Sequence, residues 1–192
     1  MKVLACILFC LVNATLLAQP LPEANDPKLR PTSTNKTFID KIAGKPIAYY
    51  LNHKSIGKYA KLFYKGEFAV SDDELTAGIM DSVLIRNSDI HPFYLFLFNQ
   101  ILVMSDGALA EMVSSVSGKY VQQFPCEFMK YANDKTYRVD NLEWAGFVAY
   151  SLDWPAEAKT YLDDVEKTVT SRCANWKGTW HKLRKMIEDS GN

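Results

Sequence analysis

The chain has 192 residues, with 22 basic and 22 acidic side chains, and 48% of it is hydrophobic. That length is one domain's worth of sequence, and the even charge balance speaks against a nucleic-acid binder, which needs a concentrated basic surface. Ten Tyr, ten Phe and four Trp supply a packed core and exclude disorder for the bulk of the chain.

Lys2 precedes an unbroken apolar run from Val3 to Val12, and small residues follow at Ala14 and Ala18. Charge, apolar core and small residue in that order read as a secretory signal peptide over residues 1–18. Cleavage is expected after Ala18, with Ala14 as the alternative. The apolar run is half the length of a membrane-spanning helix, which needs about 20 residues, so release is expected rather than anchoring. Residues 1–18 carry one lysine and no acid, so the mature chain has 21 basic and 22 acidic residues. The expected location is periplasmic or extracellular. Residues 19–33 hold four prolines and read as a flexible lead, leaving 34–192 as a single helical domain. Asn35-Lys36-Thr37 is a glycosylation sequon, meaningful in a eukaryotic source.

Beyond Thr34, apolar residues recur at three and four, the period of a helix. Pro46, Pro92, Pro125 and Pro155 each precede an apolar segment, and proline is tolerated at a helix's first position. Ser71-Asp72-Asp73-Glu74 has the form of a capping box, predicting a helix with Leu75, Ile79 and Val83 on one face. Pro92 to Met104 is apolar nearly all round and predicts a helix in the middle of the core. Asp106-Gly107 opens the next helix, with Leu109, Met112, Val113, Val116 and Tyr120 along one side. A short helix follows Phe124-Pro125, and residues 133–140 form a polar connection with weak strand character. Leu142 to Leu152 and Pro155 to Cys173 predict two further helices, the second striped by Ala158, Tyr161, Leu162, Val165 and Val169. The last helix carries Trp176, Trp180, Leu183 and Ile187 opposite Lys177, His181, Arg184 and Lys185. Such a helix either docks its tryptophan face on the core or lies on an anionic membrane; the stripe before it favours docking. The expected fold is all-α, with seven to nine helices, either packed as a compact bundle or stacked as hairpins.

Chemistry is sparsely signalled. His53, His91 and His181 are far apart and lack the spacing of a zinc site. No nucleophile elbow, phosphate loop or dinucleotide fingerprint occurs, so no catalytic set, metal or cofactor is read from the chain. Asp106 and Glu111 flank a small-residue turn and could serve as an acid and base, although Asp106 reads first as a helix cap and Glu111 as an outer-face residue. Asp163, Asp164 and Glu166 read as a solvated face. With Cys6 and Cys10 in the leader, Cys126 and Cys173 remain for an oxidising compartment. They form either a disulfide closing a loop of about 48 residues or two buried thiols.

The reading is an exported, non-catalytic binding or interaction module for a protein or peptide partner. The alternative is a small secreted hydrolase assembled only in the fold, with Asp106, Glu111 or His91 as its residues.

Overall fold

The computed structural model describes residues 39–87, 89–137, 139–152 and 154–191. The expected leader, its cut site, the whole proline-rich stretch 19–33 and the Asn35 sequon lie outside them. Nine α-helices order these residues: α1 (Ile47–Asn52), α2 (Lys58–Tyr64), α3 (Glu74–Asp81), α4 (His91–Met104), α5 (Gly107–Gln123), α6 (Pro125–Ala132), α7 (Asn141–Tyr150), α8 (Ala158–Arg172) and α9 (Lys177–Gly191). A two-residue hairpin, β1 (Lys41–Ile42) with β2 (Lys45–Pro46), is the only sheet among them. The fold is all-α, as the periodicity predicts. One hydrophobic core runs from Ile42 to Ile187.

Helix α4 forms the centre of that core. Every residue from His91 to Asn99 is buried, with Ile101 and Leu102 beyond them. A helix apolar on all sides needs cover on all sides, and α3, α5 and the turns around residues 82–84 and 135–137 supply part of it. None of the described helices is long and apolar enough to cross a membrane. Helix α7 packs between α5 and α9, and Trp144 brings its ring to within 5.3 Å of Phe98 and 4.7 Å of Phe128.

The buried amide of α4, Asn99, has a defined job. Trp144 Nε1–H donates to Asn99 Oδ1 at 2.8 Å, and Asn99 Nδ2 donates to the Tyr137 carbonyl at 2.9 Å. An indole nitrogen only donates, so the amide oxygen must face Trp144 and the amide nitrogen must face Tyr137. The turn at Tyr137 and helix α7 are thereby joined to the distant α4 at one buried side chain.

Proline marks three helix starts and misses a fourth. Pro46 is the N-cap residue of α1, Pro92 lies in the first turn of α4, and Pro125 opens α6. Pro155, joined to Trp154 by a cis bond, sits instead in the turn before α8, which starts at Ala158. The cap of α3 also moves. Asp73, not Ser71, is its N-cap: the Thr76 N–H donates to Asp73 Oδ1 at 2.7 Å, and the Thr76 hydroxyl reaches back to accept the Ser71 N–H at 3.1 Å. The helix is turned accordingly, burying Thr76, Ile79 and Met80 and leaving Leu75 43% exposed, while Val83 is buried in the 3-10 turn Ser82–Leu84 that follows. Residues 133–140 form no strand among those described. Lys135–Tyr137 is a 3-10 turn that drives Tyr137 into the core.

The last two helices close the fold. The stripe from Ala158 to Val169 is buried as predicted, and so are Trp180, Leu183 and Ile187, with Trp176 half-buried; the tryptophan face of α9 docks on the core. The Trp154 indole donates to the Ala149 carbonyl at 2.9 Å and lies over Gly191, leaving no room there for a Cβ. The acids of α8 are not simply a solvated face. Asp163 and Glu166 both accept from Arg184 of α9, at 3.0 and 2.6 Å, and Glu188 holds the same guanidinium at 2.9 Å. Hydrogen bonds from Lys159 and Arg184 hold the Asp163 carboxyl below its usual range. At Glu166 burial opposes ionisation, but hydrogen bonds from His181 and Arg184 outweigh it and lower the value.

Cys126, in the first turn of α6, and Cys173, capping the end of α8, are bonded, with Cα atoms 5.8 Å apart. That separation lies inside the usual disulfide range of about 4.4–6.8 Å.

Two outcomes are expected from these links. Asn99→Ala strands the Trp144 N–H and the Tyr137 carbonyl in the core, so urea unfolding should show a loss of roughly 2 to 4 kcal/mol. Thiol titration of the unfolded, unreduced mature protein should find no free thiol. Reduction should then cost about 4 kcal/mol, the chain-entropy value for a loop of this size.

Candidate functional site

Two faces of α5 do different work. Leu109, Val113, Val116 and Tyr120 turn inward and are buried. Glu111, Ser115, Lys119 and Gln122 recur at four, four and three on the outer side and form one wall of a groove of about 600 Å³. The facing wall comes from α8 and the turn before it, through Glu157, Thr160 and Asp164. Tyr150, 68% exposed at the end of α7, is the largest apolar surface in the groove.

Gly118 makes this geometry. It is buried in α5 where the chain between α7 and α8 passes over it, and a Cβ there would run into the Ser151 hydroxyl. Tyr161 of α8 reaches the same point and donates its phenol to the Gly118 carbonyl at 2.8 Å. Burial pushes that phenol's pKa up, so it remains a donor. The Ser151 hydroxyl is itself committed to the Val148 carbonyl at 2.7 Å. The floor is therefore fixed by satisfied hydrogen bonds, while the polar groups of both walls stay exposed. With three carboxylates against one lysine, the groove is acidic.

The three residues considered for hydrolysis are dispersed. Glu111 is exposed and enters the groove. Asp106 holds the N-cap position of α5, exposed and outside the groove's lining, and its side chain makes no cap hydrogen bond. The expected cap thus has the right place but not the expected bond. His91 is buried behind α5, among the rings of Tyr120, Phe124 and Tyr131. His53 accepts the Ser55 N–H at 3.2 Å at the end of α1, and His181 lies 3.3 Å from Glu166 on the exposed side of α9. Among the described residues, no group of three His, Cys, Asp or Glu side chains is placed to hold a metal ion.

A smaller cleft of about 170 Å³ separates α6 from α9, between Met129, Asn133, Thr179 and Met186. It is below the roughly 300 Å³ at which ligand pockets begin.

Sequence reasoning missed Tyr150, Glu157 and Thr160 as parts of one surface. The available signal was the run Ser114-Ser115 with Gly118, which makes one side of α5 small and lets another segment approach. The chain matches no family model, no curated protein and no solved structure.

Proposed function

We propose that the mature protein works outside the cytoplasm as a non-catalytic binding module, and that the groove between α5 and α8 takes a segment of a protein or peptide partner. The groove carries this reading. Its volume is of the size that holds a ligand or several side chains. Its walls are two helices whose outward groups are free to bond, and its floor is rigid. A cleft between two helices suits an extended or helical segment laid along it. Glu111 enters the groove while Asp106 and His91 lie elsewhere, an arrangement that favours recognition over acid–base chemistry.

Export rests on the order of charge, apolar run and small residues at the start of the chain. The Cys126–Cys173 bond is what an oxidising compartment favours. Secreted material should have a mass lacking residues 1–18, or 1–14; the full-length mass held in membranes would refute export and release.

Binding is tested with a random peptide library displayed on phage and selected on purified mature protein. Thr160→Trp fills the groove from an exposed position and serves as the counter-screen. Selected peptides are expected to bind the unaltered protein about tenfold or more tightly than T160W, a difference of about 1.4 kcal/mol. They should also shift the amide signals of Ser115, Lys119 and Asp164. A library that yields nothing above background, or peptides that bind both proteins equally, would end the proposal.

A further inference from the structure

Behind α5, on its core side, lies a buried histidine. His91 is the first residue of α4 and only 6% exposed. Its ring centroid is 5.5 Å from that of Tyr120 in α5, 5.3 Å from that of Phe124 at the α5–α6 joint, and 6.2 Å from that of Tyr131 in α6. From the other side, the 3-10 turn Ser82–Leu84 offers a backbone hydrogen bond at Val83. Nε2 finds no partner among the described residues. The Val83 bond therefore belongs to Nδ1, and the neutral ring carries its proton there.

A second proton would arrive at Nε2. It would create a charged N–H enclosed by aromatic rings with no acceptor, a costly group to bury. The position adds to the cost, because the N-terminus of a helix is its positive end. The charged groups around the ring do not cancel this. Glu127 of α6 favours the cation but is itself exposed. Arg86, 5.6 Å from the Phe124 ring, and Lys130, 5.6 Å from the Tyr131 ring, are both positive and oppose it. Burial raises the phenols of Tyr120 and Tyr131, which stay neutral. The 3-10 turn brings no titratable side chain.

We propose that His91 is an acid-sensitive latch: its neutral ring holds the start of α4 and the turn at Val83 against α5 and α6, and protonation releases them. Burial, the largest influence, holds the ring below the ordinary histidine value. In the unfolded chain the ring titrates near about pH 6.5. Its stabilising contribution is therefore complete above that pH and is lost as the pH falls through the lower folded value. Asp163 and Glu166, which Arg184 holds, respond only below the ordinary carboxylate range. Helix α6 does not follow the release, because the disulfide ties its first turn to the end of α8. The opening is thus local to Val83–Leu84 and His91–Tyr94.

Hydrogen exchange of the mature, disulfide-bonded protein at pH 7 and pH 5, corrected for the intrinsic pH dependence of exchange, tests this. Amides of Val83, Leu84, His91, Phe93 and Tyr94 are expected to lose protection by up to about tenfold for each pH unit between about 6.5, where the released ring titrates, and the lower folded value, and to level off below it. Those of Val165–Val169 and Leu183–Ile187 should keep theirs. His91→Asn and His91→Phe carry no titrating ring and should show no such loss. An equal loss in the unaltered protein and both variants would overturn the latch, as would a loss spread evenly over all helices. Ring titration of the unaltered protein by NMR needs no variant. A His91 that titrates at or above the ordinary value would also overturn the proposal.

Discussion

An amide in the wrong-looking place governs how this fold is assembled. Helix α4 is apolar on every side, so hydrophobic burial rewards it for being inside but gives little preference for one rotation about its axis over another. Asn99 removes that freedom. Its oxygen must meet the Trp144 indole and its nitrogen the Tyr137 carbonyl, and only one rotation and one depth satisfy both. Any other setting leaves an amide, an indole N–H and a carbonyl unpaired in the core, each at a cost of about 1 to 3 kcal/mol. The rings of Phe98, Trp144, Phe128 and Tyr120 then pack outward from that point in tilted and edge-on pairs 4.7 to 6.2 Å apart. Around α4, the two hydrogen bonds of Asn99 supply specificity, and the apolar area around them supplies stability.

What the sequence discloses and what it hides divide along a physical line. Local rules are legible: the period of the α8 stripe, the continuous apolar run of α4 and the prolines at Pro46, Pro92 and Pro125 all depend on neighbours within one or two turns. The pairing of Cys126 with Cys173 was open between bridge and free thiols, because distance decides it and spacing does not. Contacts between distant segments are hidden. Asp163 and Glu166 look like surface acids until α9 brings Arg184 to them. His91 looks like an ordinary residue before a proline until α5 and α6 close over it. Where a local rule failed, a tertiary demand won: Ser71 begins a good capping box, yet Thr76 is buried, and that burial sets the helix to start at Asp73.

The groove depends on the same closure. Glycine within a helix costs about 1 kcal/mol against alanine, and in α5 it is placed where Ser151 and Tyr161 converge. The cost is offset by the close approach of Ser151, at the end of α7, which a larger residue would obstruct. Tyr161 ties α8 to the Gly118 carbonyl, and the furrow lies between the outward rows of the two helices. Its acidity is a second consequence, since α8 spends Asp163 and Glu166 on Arg184 but leaves Glu157 and Asp164 facing the furrow.

Helix α5 is therefore the element shared by the proposed groove and the proposed latch. Its outer face is a wall of the groove, its inner face carries Tyr120 against His91, and its C-terminus passes directly into the disulfide-bearing helix α6. The groove floor is held by Tyr161 and Ser151 from the α7–α8 side, independent of the start of α4. Release at His91 would free one flank of α5 while the disulfide and the Gly118 contacts keep the other in place. A partner bound in the groove would thus be held by a surface that stays ordered across the pH range in which the far side of the same helix loosens. This separation follows from where the chain puts its strongest links. The covalent bond and the charged Arg184 cluster both lie on α6, α8 and α9, whereas the His91 ring reaches α6 through aromatic packing alone and is held besides by one backbone hydrogen bond at Val83.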